Sequence, residues 1–186
     1  MNIAIFASGS GSNAENIVRY FQEQDDVRIP LILSNKPDAY VLERARKLGV
    51  ATAVFTRQEL NETDKVLQIL QQSDIDFIVL AGFLLKIPQN LIAAYPNKIV
   101  NIHPALLPKY GGKGMYGHHV HEAVVANHET ESGISIHYVN EHYDEGDIIF
   151  QAKCAVSPND TPDDVAEKIH RLEYEYFPKI IDESRV

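Results

Sequence analysis

An amide and an imidazole stand two positions apart in the segment Asn101-Ile102-His103-Pro104. The apolar run before them, residues 98–100, is typical of a buried strand. Side chains two positions apart on a strand lie on the same side. Asn101 can hold a carbonyl oxygen and His103 can move a proton near neutral pH. The pattern predicts a proton-transfer site at the carboxyl end of a strand, where α/β proteins bind ligands. From these residues alone, a structural histidine is the alternative.

An acidic segment further along the chain offers partners for this histidine. A carboxylate beside an imidazole favours the charged ring and raises its pKa, which makes it a proton donor or an oxyanion stabiliser. The spacing does not choose among four carboxylates, which are Glu141, Asp144, Glu145 and Asp147.

A second candidate region is the loop Ser8-Gly9-Ser10-Gly11-Ser12-Asn13, which joins an apolar strand pattern to a helical pattern. Glycines let the backbone approach an anion, and the first amides of the helix bind it. The spacing of Gly9, Gly11 and Ala14 also fits a degenerate dinucleotide fingerprint. However, the next strand pattern ends in residues 34–36, Ser-Asn-Lys, without the acidic residue of nicotinamide sites. We therefore expect a phosphate monoester; the alternative is a tight turn without a ligand.

The elements that must position these residues alternate between strand and helix patterns. Strand patterns lie at residues 3–7, 29–33, 52–55, 76–82 and 98–103, and helical patterns at 16–24, 37–49, 61–72 and up to 95. This order predicts a parallel, doubly wound sheet. We expect three loops at its carboxyl edge, namely residues 8–13, residues 83–87 and the segment after Asn101.

The regular alternation of strand and helix patterns ends after His103. A glycine-rich loop at 109–117, which could move, precedes a helix at 118–127 with Val120, Val124 and Val125 inward. Two strand patterns at 133–139 and 147–154 predict an antiparallel hairpin, and Thr161 caps a final helix. The expected fold is α/β, a Rossmann-like doubly wound, mostly parallel sheet of about seven strands with an antiparallel C-terminal hairpin and a C-terminal helix.

Composition narrows the function classes. The 186 residues suit one domain, and the net charge of −9 disfavours nucleic acid and anionic membrane surfaces. No apolar stretch approaches the roughly 20 residues of a membrane span, and no signal peptide is expected from the first residues. Cys154 stands alone, so no intrachain disulfide is expected, the thiol should be buried and inert, and the cytoplasm is the expected location. Adjacent histidines on a helix point different ways, so we expect no metal site at 118–121.

Several stretches carry a resemblance to a known family. They are residues 8–13, 34–36, 42–46, 79–83, the Asn-Ile-His-Pro-Ala-Leu-Leu-Pro element at 101–108, and the Asp144 loop. On these stretches, the chain resembles the phosphoribosylglycinamide formyltransferases, folate-dependent enzymes of purine synthesis, over essentially its whole length. The element at 101–108 is shared with other folate-dependent formyl enzymes. A methionyl-tRNA formyltransferase would carry an extra C-terminal domain and a formyltetrahydrofolate deformylase an extra N-terminal one, so the length favours the glycinamide family.

The resemblance implies transfer of a formyl group from the co-substrate 10-formyltetrahydrofolate to the amine of 5-phosphoribosylglycinamide, in the synthesis of IMP. It implies small-molecule substrates, no nucleic acid, membrane or metal, and a monomer or homodimer. It divides the single domain 1–186 into a phosphate-binding half, 1–100, and a catalytic and folate-binding half, 101–186. The alternatives are another folate-dependent enzyme such as a deformylase, or a non-catalytic nucleotide-binding module.

The resemblance also implies residue roles. Gly11, Ser12 and Asn13 would bind the substrate phosphate, and Glu173 the glycinamide end. Asn101 would hold the formyl oxygen, His103 would be the general acid, and Asp144 would raise the pKa of His103. The residues that would bind folate are Phe83, Leu84, Leu85, Lys86, Ile87, Asn101, Val139, Asn140, Glu141, His142 and Tyr143. Leu85 departs from the arginine of many relatives. His137 is expected in a structural or supporting role.

Overall fold

The computed structural model describes residues 1–142 and 145–185. Strands and helices alternate along the first part of the chain, as the sequence predicts. The strands are β1 (Asn2–Phe6), β2 (Arg28–Ser34), β3 (Ala51–Val54), β4 (Phe77–Leu80), β5 (Ile99–His103), β6 (Glu131–Tyr138) and β7 (Ile148–Ala155). The helices are α1 (Ser12–Phe21), α2 (Tyr40–Leu48), α3 (Arg57–Glu62), α4 (Lys65–Gln72), α5 (Gln89–Ala94), α6 (His118–Ala126) and α7 (Pro162–Ser184).

The strands form one mixed sheet in the order β3-β2-β1-β4-β5-β6-β7. Strands β1, β2, β3 and β4 pair in parallel, whereas β6 and β7 pair antiparallel. This arrangement confirms the predicted α/β class, with its antiparallel hairpin and C-terminal helix.

The chain divides into two compact units. Unit 1 contains residues 1–100 with Arg185, and unit 2 contains residues 101–184. In unit 1, every residue of β4 is buried and β1 is buried from Ile3 to Phe6. Continuous apolar runs are what a strand covered on both faces requires. The ends of these strands therefore present a rigid base for the loops that follow them.

One predicted helix of unit 1 is wrong in its extent. The pattern at 61–72 predicts a single helix, but the structure has two, α3 and α4. Thr56 and Glu59 form a capping box that starts α3 at Arg57. Thr63 then takes an extended conformation, with φ −136° and ψ 169°, which ends α3 before α4 begins. The extended backbone at Thr63 thus divides a stretch whose apolar periodicity is nearly continuous.

In unit 2, α6 and α7 pack together and α7 lies against β6 and β7. The cap of α7 is as predicted, because the Thr161 Oγ1 accepts from the Asp164 amide and the Asp164 carboxylate accepts from the Thr161 amide. Val120 and Val124 are buried as predicted, but the third buried residue of α6 is His121 rather than Val125. A titratable side chain therefore lies in the packed face of this helix.

Candidate active site

The end of strand β5 carries Asn101 and His103. The His103 side chain is buried, with 4% exposed, and Asn101 is half-buried. A polar ring in such a place needs hydrogen-bond partners. The structure provides partners for both side chains from the same unit.

The His103 ring donates from Nε2 to the main-chain oxygen of Tyr110, at 2.6 Å. A carbonyl oxygen only accepts, so Nε2 carries a proton. Tyr110 has φ 57°, in the left-handed region, and its hydroxyl donates to the Glu129 carboxylate at 2.9 Å. The pKa of the Tyr110 hydroxyl is raised by burial and then by this carboxylate. The segment after the strand is therefore folded back so that its carbonyl engages the imidazole.

His137 on strand β6 forms a hydrogen bond with the Asn101 side chain. Its Nδ1 donates to the main-chain oxygen of Tyr138 at 2.9 Å, and its Nε2 accepts from the Asn101 amide nitrogen at 3.1 Å. This arrangement fixes which end of the Asn101 amide faces His137. His137 is 2% exposed. The sequence predicts a supporting role for His137 but does not identify Asn101 as its partner.

A buried serine fixes the exit from β5. Ser135 Oγ donates to the Ala105 carbonyl at 2.7 Å and accepts from the Leu107 amide at 3.0 Å. The Gln151 side chain donates to both Ser135 Oγ and the Leu107 carbonyl. These bonds replace the sheet ladder where Pro104 and Pro108 cannot donate. The backbone that follows His103 is thus held by side chains of the β6–β7 hairpin.

In unit 1, the loop 8–13 has the form expected of an anion site. Gly11 lies at the start of α1 with φ 78° and ψ 19°, and no side chain caps this helix end. The amides of a helix's first turn lie beyond the reach of its own carbonyls, and the helix dipole favours an anion there. The backbone at Gly11, Ser12 and Asn13 can therefore receive a phosphate.

Ser8 connects this loop to the segment after β4. Its hydroxyl donates to the Asn35 side chain at 2.6 Å and accepts from the Leu84 amide at 3.0 Å. Phe83 packs edge-on against Phe6, with ring centroids 5.3 Å apart. Unit 1 thus brings the phosphate-loop and Phe83 segments together. The meeting of these two loops with the segment after Asn101 stays a prediction.

The predicted folate residues of unit 1 differ in exposure. Ile87 is buried, Phe83 and Leu85 are half-buried, Leu84 is 40% exposed, and Lys86 is exposed. Leu84 is the apolar side chain of this segment that is most open to a ligand. Its exposure fits an apolar binding surface, whereas Phe83 and Ile87 support the segment from within.

Part of the predicted folate loop of unit 2 is described. Val139 and Asn140 are half-buried, Glu141 and His142 are exposed, and the Asn140 side chain accepts from the His142 amide at 2.9 Å. Tyr143 and Asp144 lie outside the described residues, so the choice of Asp144 as the partner of His103 stays a prediction.

Glu173 on α7 is buried rather than solvated, with 6% exposed. It accepts from His170 Nδ1 at 3.0 Å, and this hydrogen bond raises the pKa of His170. Nearby, His121 is 5% exposed, and burial, followed by the charges of His118 and His170, lowers its pKa to about 4. The sequence spacing of i and i+3 fits the Glu173–His170 pair; the burial of Glu173 follows only from the packing of α7.

Three observations bear on other function classes. Cys154 is half-buried rather than buried as predicted, but burial still raises the pKa of its thiol, so a thiolate nucleophile is disfavoured there. No group of three or more His, Cys, Asp or Glu side chains within residues 1–142 and 145–185 is placed to hold a metal ion. None of the helices in the described part of the chain is long and apolar enough to cross a bilayer.

The sheet order shows an α/β protein, in which an asparagine and a histidine stand at a strand end and a helix begins without a side-chain cap. The family model described as Formyl transferase matches residues 1–181, and the chain belongs to this family. The phosphoribosylglycinamide formyltransferase of Bacillus subtilis is 34% identical over 183 residues, which cover 96% of this chain and 91% of that protein. The resemblance inferred from the sequence is thereby confirmed.

Two further proteins show the same relationship. The crystal structure of phosphoribosylglycinamide formyltransferase from Streptococcus pneumoniae TIGR4 has a TM-score of 0.87 and 34% identity, covering 100% of this chain and 99% of that chain. The chloroplastic phosphoribosylglycinamide formyltransferase of Arabidopsis thaliana is 37% identical over 185 residues, or 96% of this chain. The chain spans 63% of the length of that plant protein, which is less than two thirds.

Proposed function

We propose that the chain transfers the formyl group of 10-formyltetrahydrofolate to the amine of 5-phosphoribosylglycinamide in purine synthesis. The observation that carries this proposal is the pair at the end of β5, a buried His103 beside an Asn101 whose amide is fixed by His137. The family to which the chain belongs and the names of its relatives support the choice of substrates.

The proposed chemistry needs stabilisation of a negatively charged oxygen. When the substrate amine attacks the formyl carbon, charge develops on the formyl oxygen, and donors aimed at that oxygen lower the barrier. The Asn101 amide nitrogen gives one N–H to His137 and keeps a second N–H for the formyl oxygen. As the bond between the formyl carbon and the folate nitrogen N10 breaks, His103 would give a proton to N10, and the proton that the substrate amine loses would return to His103.

The bond from His103 Nε2 to Tyr110 sets a condition on this step. In the structure His103 Nε2 donates its proton to a hydrogen bond with the Tyr110 carbonyl oxygen, which lies 2.6 Å from Nε2. Donation from Nε2 to a substrate therefore requires that this bond break, whereas donation through Nδ1 leaves it intact. The choice of Asp144 as the carboxylate that keeps His103 protonated belongs to the proposal.

The other predicted residues have proposed binding roles. The backbone at Gly11, Ser12 and Asn13 would bind the 5-phosphate, and Glu173 the glycinamide end. The residues proposed to contact folate are Phe83, Leu84, Leu85, Lys86, Ile87, Asn101, Val139, Asn140, Glu141, His142 and Tyr143. A cytoplasmic location and a monomeric or homodimeric state stay predictions.

The fate of a labelled formyl group tests the proposal. The protein is incubated with formyl-labelled 10-formyltetrahydrofolate, with and without 5-phosphoribosylglycinamide, and the label is followed by mass spectrometry. We expect the label on the glycinamide nitrogen, and only when this acceptor is present. Release as formate at the same rate without acceptor would instead establish a deformylase, and no consumption of the donor would favour a nucleotide-binding module.

A further inference from the structure

We propose that Arg44, on α2, is a positioning residue that sets the main-chain amides of the phosphate loop. This inference rests on the proposed function, which assigns phosphate binding to the backbone at Gly11, Ser12 and Asn13 in the loop 8–13. It adds a residue outside that loop that controls the loop's geometry.

Helix α2 binds two successive carbonyl groups of the loop. The Val41 amide donates to the Gly9 carbonyl at 3.0 Å, and Arg44 Nε donates to the Ser10 carbonyl at 2.7 Å. In a trans peptide unit the C=O and the N–H of the next residue point in opposite directions. Holding both carbonyls toward α2 therefore turns the amides of Ser10 and Gly11 away from α2, where they are available to an anion.

A third contact between α2 and the loop involves the next residue. A Cβ added at Gly11 would lie 2.6 Å from Val41 Cβ and 2.8 Å from Val41 Cα, which no real Cβ could do without displacement. The φ of 78° at Gly11 also disfavours any other residue. Three consecutive loop residues thus take their conformation from α2, and Arg44 makes the side-chain contribution to that fit.

The guanidinium group of Arg44 is itself held on two further sides. Its Nη1 lies 3.5 Å from the Glu15 carboxylate, and its carbon lies 5.0 Å from the centre of the Tyr40 ring. A planar guanidinium can donate to the carbonyl, pair with a carboxylate and stack on a ring at once, which an ammonium cannot. The Glu15 carboxylate offsets the charge of Arg44, so the proposed effect on phosphate binding comes from geometry rather than net charge.

The test measures binding of ribose 5-phosphate by calorimetry to the wild-type chain and to Arg44→Met, Arg44→Lys and Arg46→Met. Arg46 lies on the same helix, is exposed and pairs with Glu43, so it controls for the loss of one surface charge. We expect Arg44→Met to raise the Kd about tenfold, a change of about 1.4 kcal/mol. Arg44→Lys should raise it about threefold, because one donor remains, and Arg46→Met should leave it within twofold.

Kinetics separate positioning from a general structural effect. With 5-phosphoribosylglycinamide, Arg44→Met should raise KM about tenfold with little change in kcat, and with the dephosphorylated riboside it should change neither. An unchanged Kd in Arg44→Met, an equal loss with the riboside, or the same shift in Arg46→Met would overturn the inference. If the wild-type chain transfers the formyl group but Arg44→Met leaves the Kd for ribose 5-phosphate unchanged, only this inference is refuted. If Arg44→Met weakens binding of ribose 5-phosphate but the wild-type chain transfers no formyl group, only the proposed function is refuted.

Discussion

The candidate groups of the two units are different in kind. Unit 1 offers main-chain amides, shaped by a glycine, by the contacts of α2 and by the start of α1. Unit 2 offers the side chains of Asn101 and His103, each held by a hydrogen bond from its own unit. All eight histidines lie between residues 103 and 170, and residues 1–100 contain none.

Because of this difference, we expect the two units to respond differently to substitutions and to pH. Main-chain amides do not titrate and persist when a side chain is changed, whereas imidazoles change charge between about pH 5 and 8. We therefore expect substitutions and acid to affect the chemistry of unit 2 strongly. Phosphate binding by unit 1 should respond to backbone geometry and little else.

A large effect is expected at Asn101. Replacing Asn101 with Ala removes a donor proposed for the formyl oxygen, and such losses lower kcat by about 10²–10³. Single-turnover formyl transfer measures the rate, and calorimetry with ribose 5-phosphate serves as the control, which should remain within about twofold. A tenfold loss of phosphate binding would show that the two functions are not separable as described.

The stability of unit 2 should depend on pH through His121. Its folded pKa is about 4 against an ordinary 6.5, so below pH 6.5 the unfolded chain takes up a proton that folded His121 does not. The free energy of unfolding should therefore fall as pH falls from 6.5 toward 4, by about 2–3 kcal/mol from this residue. His170, whose pKa is raised, acts in the opposite sense and loses its contribution as pH rises through that pKa.

Urea unfolding at pH 7 and pH 4.5 tests this expectation. In His121→Leu, the loss of stability between these two pH values should be smaller than in the wild type by about 2–3 kcal/mol. The control is His119→Leu, an exposed position on the same helix, which should behave as the wild type. An identical pH dependence in the wild type and His121→Leu would show that His121 is not a buried, neutral histidine.

A smaller effect is expected at His137. In His137→Phe the Asn101 amide loses its acceptor, and we expect kcat to fall about tenfold to thirtyfold, of the order of one buried hydrogen bond. In His137→Gln a side-chain oxygen can accept from the same amide, so most of the rate should return. If kcat falls by the same factor in the Phe and Gln variants, and the two variants have the same melting temperature, then His137 does not act through the Asn101 amide.

The smallest effect is expected at Ser12, whose proposed contribution is its main-chain amide. Ser12→Ala keeps that amide, and we expect the Kd for ribose 5-phosphate to remain within about twofold. The paired variant is Gly11→Ala, which combines a positive φ with the close approach to Val41 and should weaken binding clearly. A large loss in Ser12→Ala would mean that the hydroxyl, rather than the backbone, carries the interaction.

The parts of the molecule that were predictable from sequence are those with local signals. Apolar runs predict the strands, and the glycine loop predicts the start of α1 after β1; the use of this helix start as an anion site stays a prediction. The pairs that support the site join residues far apart in sequence, 36 positions for Asn101 and His137 and 34 for Arg44 and Ser10. Periodicity carries no information about such pairs, and the buried position of His121 follows only from the packing of α6 against α7.

The most direct test of the account is the formyl-transfer rate of His103→Gln, measured on the same preparation as its Kd for ribose 5-phosphate. Glutamine can still donate to the Tyr110 carbonyl but cannot act as a proton donor of suitable pKa. We expect transfer to 5-phosphoribosylglycinamide to fall by about 10²–10⁴ with the Kd within about twofold of the wild-type value. Transfer by His103→Gln at a rate near that of the wild type, or a wild-type chain that transfers no formyl group, would contradict the account.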